Sequence, residues 1–539
     1  MKLTVIKTCL LLFAFNMLAL EWHSAHSQLA KLVFHDPQSY KLNLDRGGPR
    51  ILTPFSKVYK ATFISEIIPF EEGFIKYNII KGEVGSTKKG PYLALMRLDK
   101  NFHVKEKTDI HLLEEDITIH PIATFQNQDQ LHIVTGIETK DQNRLSFSFW
   151  KVDLKKMAVV QKNVALADFP FNSKKDYDFR FRSSKDKKQL ALMILEQGTK
   201  KEQAVLHCMQ FNDNGVLNYK KSMELPFKKE KGTLKRTEIT KDGVLYTMLH
   251  INTDKKGEDD ENTLLAISKT GHQFVPMQYN GELLGNTNFN ILDNNVVHVA
   301  GLTSATKKGY VASFVRGTLT SDNTLTNMKE EVFQKKWLND ISKADDKGIK
   351  QDYHIRELIQ RPNGTMDVVL NYCKQETYTS NDFKTTTMVT TIADILVFSY
   401  QNDKLVSTLA FQRDIDDSQR NGFYTVNVQN FSVPVVAAIG NDLYLMYVDN
   451  QDNLQGPNNT KKLKSDHLGK ADFVMAKISP DFKTKQQHLV SFHKNPEFPD
   501  YYNFEIDKLG DKAYMLSSDK ARAFSKTMKL ATALLTINE

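Results

Sequence analysis

Short apolar runs recur along the chain from Phe63 to the C-terminus, each entered through a turn residue and left through a polar loop. The clearest copy runs Arg236-Thr-Glu-Ile-Thr-Lys-Asp-Gly-Val-Leu-Tyr-Thr-Met-Leu249, then a polar stretch, then Leu264-Leu-Ala-Ile-Ser-Lys-Thr-Gly271. The residues that precede the second apolar run of each copy are Gly73, Gln130, Gln189, Gly243, Asn295, Gly364, Asp442 and Lys512, at intervals of 57, 59, 54, 52, 69, 78 and 70 residues. Near-continuous apolar runs of this length suit strands covered on both faces, and the Gly, Asn and Asp turns exclude helices of equal length. One such unit cannot bury both its faces, so repetition predicts an all-β β-propeller, with eight four-stranded blades as the leading count and seven as the alternative.

The predicted second strands begin at Phe74, Leu131, Leu190, Val244, Val296, Met366, Leu443 and Ala513. Third strands follow, from Tyr92-Leu-Ala-Leu-Met-Arg-Leu98 to Leu530-Ala-Thr-Ala-Leu-Leu-Thr-Ile537, after which the chain stops one strand short of a full blade. An N-terminal strand, Tyr40-Lys-Leu-Asn-Leu44, is expected to complete that blade, close the ring and remove an open sheet edge. Residues 28–539 then form one domain.

In an antiparallel blade the first and third turns share one end, and the second turn and the link between blades share the other. The later copies carry their extra length at the second end, in Cys373 to Ile392, in Asp449 to Lys470 and in the link Gly317 to Gln351. Within that link Met328, Val332, Phe333, Trp337 and Ile341 fall at helical spacing, which predicts a helical insertion near 318–351. Long loops on a rigid scaffold commonly carry function. Three copies also enter their first strand through Asp-Tyr: Asp176-Tyr-Asp-Phe-Arg180, Asp352-Tyr-His-Ile-Arg356 and Asp500-Tyr-Tyr-Asn-Phe504. Tyr177, Arg180, Arg182, Arg236, Tyr353, Arg356 and Tyr501 are therefore candidate ligand-binding residues at the channel rim, an aromatic and cationic ring for a carbohydrate or a carboxylate. Asp and Tyr also serve turns and strands, so repeated capping of blades is the competing reading.

Lys2 and Lys7 precede an apolar run from Cys9 to Leu20, and Ala25-His26-Ser27 offers small residues for cleavage before Gln28. This predicts a signal peptide over residues 1–27 and export across the inner membrane, to the periplasm or the exterior. About a dozen apolar residues are too few to span a bilayer, and no later run approaches the required length, so no transmembrane segment is expected in the mature chain. Cleavage would leave Cys208 and Cys373, expected to be free and buried rather than a disulfide framework. It would also lower the formal net charge from +8 to +7, a mixed balance that does not indicate nucleic-acid binding.

No nucleophile elbow, His-Glu-x-x-His pair, phosphate loop or dinucleotide fingerprint is present, and no cofactor is expected. His488 and His493 lack partners for a metal site, and the acidic stretches 254–261 and 449–453 depart from calcium-loop spacing, so no metal is expected. Paired carboxylates for glycoside cleavage cannot be picked from sequence, because their separation is three-dimensional.

Ile355-Arg-Glu-Leu-Ile-Gln-Arg-Pro-Asn-Gly-Thr-Met-Asp-Val-Val-Leu370, the Thr-rich stretch 385–391, Ala393-Asp-Ile-Leu-Val-Phe398, Asn421-Gly-Phe-Tyr424 and Asp442-Leu-Tyr-Leu-Met446 together resemble a group of uncharacterised secreted bacterial β-propeller-like repeat proteins. The resemblance covers residues 325–480 and departs from the group's Asp-Gly-Gly turn at Pro362-Asn363-Gly364. It implies a secreted propeller and carries no activity. The leading expectation is a non-catalytic binding or scaffold propeller of the cell envelope that meets an envelope protein or a glycan through its long-loop face. An enzyme acting on an extracellular glycan in the channel, as hydrolase or lyase, is the alternative.

Overall fold

The turn residues that precede each apolar run do reverse the chain. Gly243 and Gly364 both take positive φ, +83° to +86°, and the backbone N–H of each closes its turn onto Thr240 and Arg361 respectively. The computed structural model describes residues 29–41, 64–80, 92–100, 103–114, 117–139, 144–170, 172, 175–199, 202–228, 232–252, 260–292, 294–306, 308–379, 386–420, 433–450, 452–453, 463–464, 471–491, 504–510, 512–521 and 527–538.

Seven four-stranded antiparallel sheets, and one six-stranded sheet built on four antiparallel strands, occur among the described residues. Their leading strands are Ile64–Phe70, His120–Asn127, Tyr177–Ser183, Gly232–Ile239, Gly285–Ile291, Tyr353–Gln360, Val435–Ile439 and Phe504–Lys508. We number the sheets one to eight in that order. Every predicted second strand lies within an observed one or overlaps it, from Gly73–Ile80 to Ala513–Ala521.

The apolar layers lie between sheets, which makes the fold a β-propeller. Tyr77 of the first sheet meets Trp150 of the second, Phe149 meets Phe181 of the third, and Leu206 meets Leu249 of the fourth. Leu264 then meets Phe289 of the fifth, Phe314 meets Phe398 of the sixth, and Val397 meets Leu445 of the seventh. Phe473 meets Leu535 of the eighth, and Met96 and Leu98 of the first sheet pack with Leu509 of the eighth. Val397 and Phe398 are adjacent in sequence and face opposite neighbours, as the two-residue period of a strand requires. That is why the second and third strands read as unbroken apolar runs.

The eighth sheet is completed from the N-terminus, but by a different segment from the one expected. Ala30–Lys41 pairs antiparallel with Thr527–Ile537, from Ala30 opposite Ile537 to Lys41 opposite Thr527. Only Tyr40 and Lys41 of the expected strand belong to it, and residues 42–44 lie outside the described residues. The apolar stretch that starts at Leu29 pairs with the apolar end of the last strand, with Ala30 opposite Ile537 and Leu32 opposite Leu535. The register shifts between His35 and Gln38, where Pro37 has no N–H to offer a ladder. Gln487 of the seventh sheet accepts from the Ala30 N–H at 3.1 Å and donates to its carbonyl at 3.2 Å.

Two expectations for the long connections change. Met328 and Val332 stand on the strand Leu325–Val332, and the helix of the insertion is the single turn Lys335–Leu338. Four-residue spacing fits a strand face as well as a helix, and here pairing with Ser313–Leu319 decides it. Trp337 sits in the turn, and Phe333, Leu338 and Ile341 are buried against the sixth sheet. The segment from Cys373 to Ile392 is mostly extended hairpin rather than loop: the pairing continues past Cys373–Ile392 to Thr379–Thr386, and Ile415–Arg420 adds to its edge. The β-branched run Thr386-Thr-Met-Val-Thr-Thr-Ile392 makes that extension a good strand.

Candidate functional site

A cavity of about 680 Å³ opens beside the leading strands of the fourth, fifth and sixth sheets. Each of those strands breaks its ladder at the cavity. Pairing skips from Leu234 to Thr237 in the fourth sheet, from Gly285 to Asn288 in the fifth and from Ile355 to Glu357 in the sixth. These β-bulges leave Lys235 and Arg236, Asn286 and Thr287, and Arg356 outside the regular alternation, and all five line the cavity. A bulge re-aims side chains that a regular strand would send to the next sheet. The second sheet has a comparable shift at Ile122, which does not line the cavity.

The fifth leading strand, Gly285-Asn-Thr-Asn-Phe-Asn-Ile291, ties the wall together. Asn286 Nδ2 donates to the Gln351 carbonyl at 2.9 Å. Asn288 Nδ2 donates to the carbonyls of Ile355 and Arg356 at 3.0 and 2.9 Å. Asn290 donates to the Leu358 carbonyl. Sequence reasoning passed over these asparagines, and their alternation within a strand was the available signal.

Of the predicted rim residues, the structure brings Arg236 and Arg356 into this cavity. Arg236 binds Glu238 of its own strand and reaches Asn288 and Glu357 across the wall, at 3.4 Å to each. Arg180 lies nearby and donates to the Lys235 carbonyl at 2.7 Å and to Asp178 at 3.1 Å. Arg182 is exposed and donates to the Phe181 carbonyl. The tyrosines are elsewhere. Tyr177 is buried among Phe169 and Phe179, and its hydroxyl accepts from the Asn172 N–H. Tyr353 is buried and donates to Asp394 at 3.1 Å. Tyr501 lies outside the described residues. Of the four expected cations Arg236 and Arg356 share the cavity wall, Arg180 and Arg182 do not line it, and Tyr177 and Tyr353 belong to inter-sheet cores.

Arg356 keeps an unsatisfied nitrogen in the wall. Its Nε is buried without a hydrogen-bond partner, and the residue makes no ion pair among the described residues. Burial lowers its pKa, against weaker help from Cys373. Lys374, also in the lining, pairs with Glu376 at 2.7 Å. Asp352 is the one carboxylate in the lining among the described residues, and burial raises its pKa against the pull of Lys374. Glu357, behind Arg236, is raised by burial and lowered by that guanidinium. His354 is pushed down to about 4, first by burial and then by Arg356.

The other candidates resolve locally. Cys208 is buried and Cys373 half-buried, and both are free thiols whose pKa burial raises. Asp449 is buried and accepts from the Asn450 N–H and from Asn453 Nδ2, both at 2.7 Å, so its loop satisfies it internally. His488 pairs with Asp472 at 2.5 Å. His493 and most of the 254–261 stretch lie outside the described residues. No group of three or more His, Cys, Asp or Glu suited to a metal ion occurs among the described residues. No described helix is long and apolar enough to cross a membrane.

No family model matches the sequence, and no curated protein matches it. Among solved structures the chain is similar to the polysaccharide lyase Uly1, at 7% identity over 78% of this chain and 90% of that one, with a TM-score of 0.37. It is similar to an oligogalacturonate lyase in complex with manganese, at 12% identity over 88% and 98% of the two chains, with a TM-score of 0.33. It is also similar to the β-propeller domain of the Trilobed protease from Pyrococcus furiosus, at 10% identity over 77% and 93%, with a TM-score of 0.32. Likeness at this level bears on neither substrate nor chemistry, so the assignment of the chain to the β-propellers rests on its own sheets and the layers between them.

Proposed function

We propose that this protein is an exported, non-catalytic binding propeller of the bacterial cell envelope whose channel-side cavity takes a carboxylate-bearing oligosaccharide. The observation that carries the reading is Arg356, set on a bulge into the cavity wall with its Nε unpartnered and no carboxylate at ion-pair distance among the described residues. A partly buried guanidinium without a counter-charge is costly unless a ligand supplies one. Arg236, Lys235 and Lys374 add positive potential, and Thr287 and Gln375 offer polar groups to hydroxyls. The volume lies within the range of ligand pockets. Export rests on the basic and apolar pattern of residues 1–27. An eight-bladed ring, closed through Ala30–Lys41, is the architecture we infer around the cavity. Its support is the layer that Met96 and Leu98 share with Leu509.

The catalytic alternative has less behind it. Hydrolysis by paired carboxylates needs two acids flanking one bond, and Asp352 is the single carboxylate of the lining among the described residues.

Binding assays of the mature protein against uronate-containing and neutral oligosaccharides test the reading. Retention of the acidic set alone, weakening several-fold between 50 and 300 mM salt as roughly expected of screened charge, is the expected result. Equal retention of neutral sugars would contradict it. Preference for a polyglutamate peptide over the acidic sugars would move the ligand to another class.

A further inference from the structure

His354 stands in the cavity wall with an acceptor at each ring nitrogen. Nδ1 is 2.9 Å from Asn286 Oδ1, and Nε2 is 3.1 Å from the Cys373 carbonyl oxygen. The Asn286 amide cannot simply turn over, because its Nδ2 donates to the Gln351 carbonyl. A neutral imidazole has one N–H and satisfies one of these acceptors; an imidazolium satisfies both. The local charges oppose the second proton. Burial is the largest obstacle, and Arg356 on the same strand and Lys235 of the fourth sheet add repulsion. Arg236 of the fourth sheet, Lys374 and Cys373 of the second strand and Asp352 ahead of the first strand complete the titratable and charged lining of the cavity among the described residues.

The geometry is therefore built for a charged ring that the empty cavity does not favour. We propose that an anion entering the cavity brings a proton with it, moved from solvent onto His354, so that the site binds its ligand more tightly as pH falls. The anion would offset Arg356 and Lys235, and both acceptors would then receive an N–H. This inference rests on the anionic-ligand reading above and adds its regulation. The sign follows from linkage: the histidine pKa is higher in the complex than in the free protein. Affinity therefore rises as pH drops from the bound value toward the free value of about 4. The slope approaches about tenfold per pH unit for one proton.

Titration calorimetry of the mature protein with trigalacturonate, near pH 5.5 in two carboxylate-free buffers of different ionisation enthalpy, measures the proton directly. The expected result is an observed heat that differs between buffers, corresponding to uptake of up to one proton, and a flat pH profile in His354→Gln. Heat that is the same in both buffers, or uptake that survives in His354→Gln, would overturn the inference while leaving the binding reading intact. No heat in either buffer would sink both. If His354→Gln does not fold, nitrogen NMR of the wild-type imidazole replaces it. A His354 pKa that rises on addition of trigalacturonate supports the proposal, and one that stays put rejects it.

Discussion

Asp367→Ala lowers the unfolding free energy by about 3–5 kcal/mol, the usual cost of breaking a buried ion pair from one side. Arg361 and Asp367 are both fully buried and bonded twice, Nε to Oδ2 at 2.6 Å and a terminal nitrogen to Oδ1 at 3.0 Å. Ser399 donates to the same carboxylate at 2.6 Å. The remaining guanidinium nitrogen donates to the carbonyls of Ile478, Asn441 and Ser479 at 3.1, 3.3 and 3.3 Å. Removing the carboxylate leaves a buried cation that fixes a turn of the sixth sheet to two turns of the seventh. The double variant Arg361→Met, Asp367→Leu recovers much of the loss, because no charge is stranded. Urea unfolding of the three proteins checks this, and a loss below about 1 kcal/mol for Asp367→Ala, the range of an exposed pair, would show that the pair is dispensable.

A chain lacking residues 1–41 is expected to lose at least about 5 kcal/mol, comparable with the whole stability of a small domain. The ladder from Ala30 to Lys41 would be gone. Leu29 and Ala30 would leave a layer that includes Tyr514, Leu535 and Ile537. The strand Thr527–Ile537 would become an open apolar edge, and such edges recruit other chains. Self-association by light scattering and a broadened thermal transition are the expected observations, reversed by adding a peptide of residues 29–41. A truncated monomer that melts within about 2 °C of a chain starting at Gln28 would show that covering this sheet edge adds little stability.

The strand framework was readable because burial on both faces leaves a local mark: a turn residue and then an apolar run. The second strands starting at Phe74, Leu190 and Leu443 were located within a residue or so on that mark alone. The N-terminal strand was misplaced because Ala30–Lys41 finds its partner some 500 residues away, and nothing local sets that register. The site was half readable. Arg236 and Arg356 stand out as cations at strand entries, but a bulge depends on how two strands count against each other, so their common cavity could not be foreseen. Tyr353 shares the same entry motif and turns the other way, into the layer against the fifth sheet. Arg361 lay in plain sight in the Gln360-Arg361-Pro362 turn, yet its carbonyl partners sit more than 75 residues downstream.

The claim that an anionic ligand completes the cavity turns on Arg356, and Arg356→Met separates binding from folding. Methionine keeps the length of the stem and removes a charge that has no ion-pair partner among the described residues. Calorimetry with trigalacturonate and urea unfolding of the same preparations give the answer together. The account predicts at least about a tenfold loss of affinity, the scale of a charge-assisted hydrogen bond, with stability unchanged or raised by about 1–2 kcal/mol. Undiminished affinity in a variant that folds normally would contradict it.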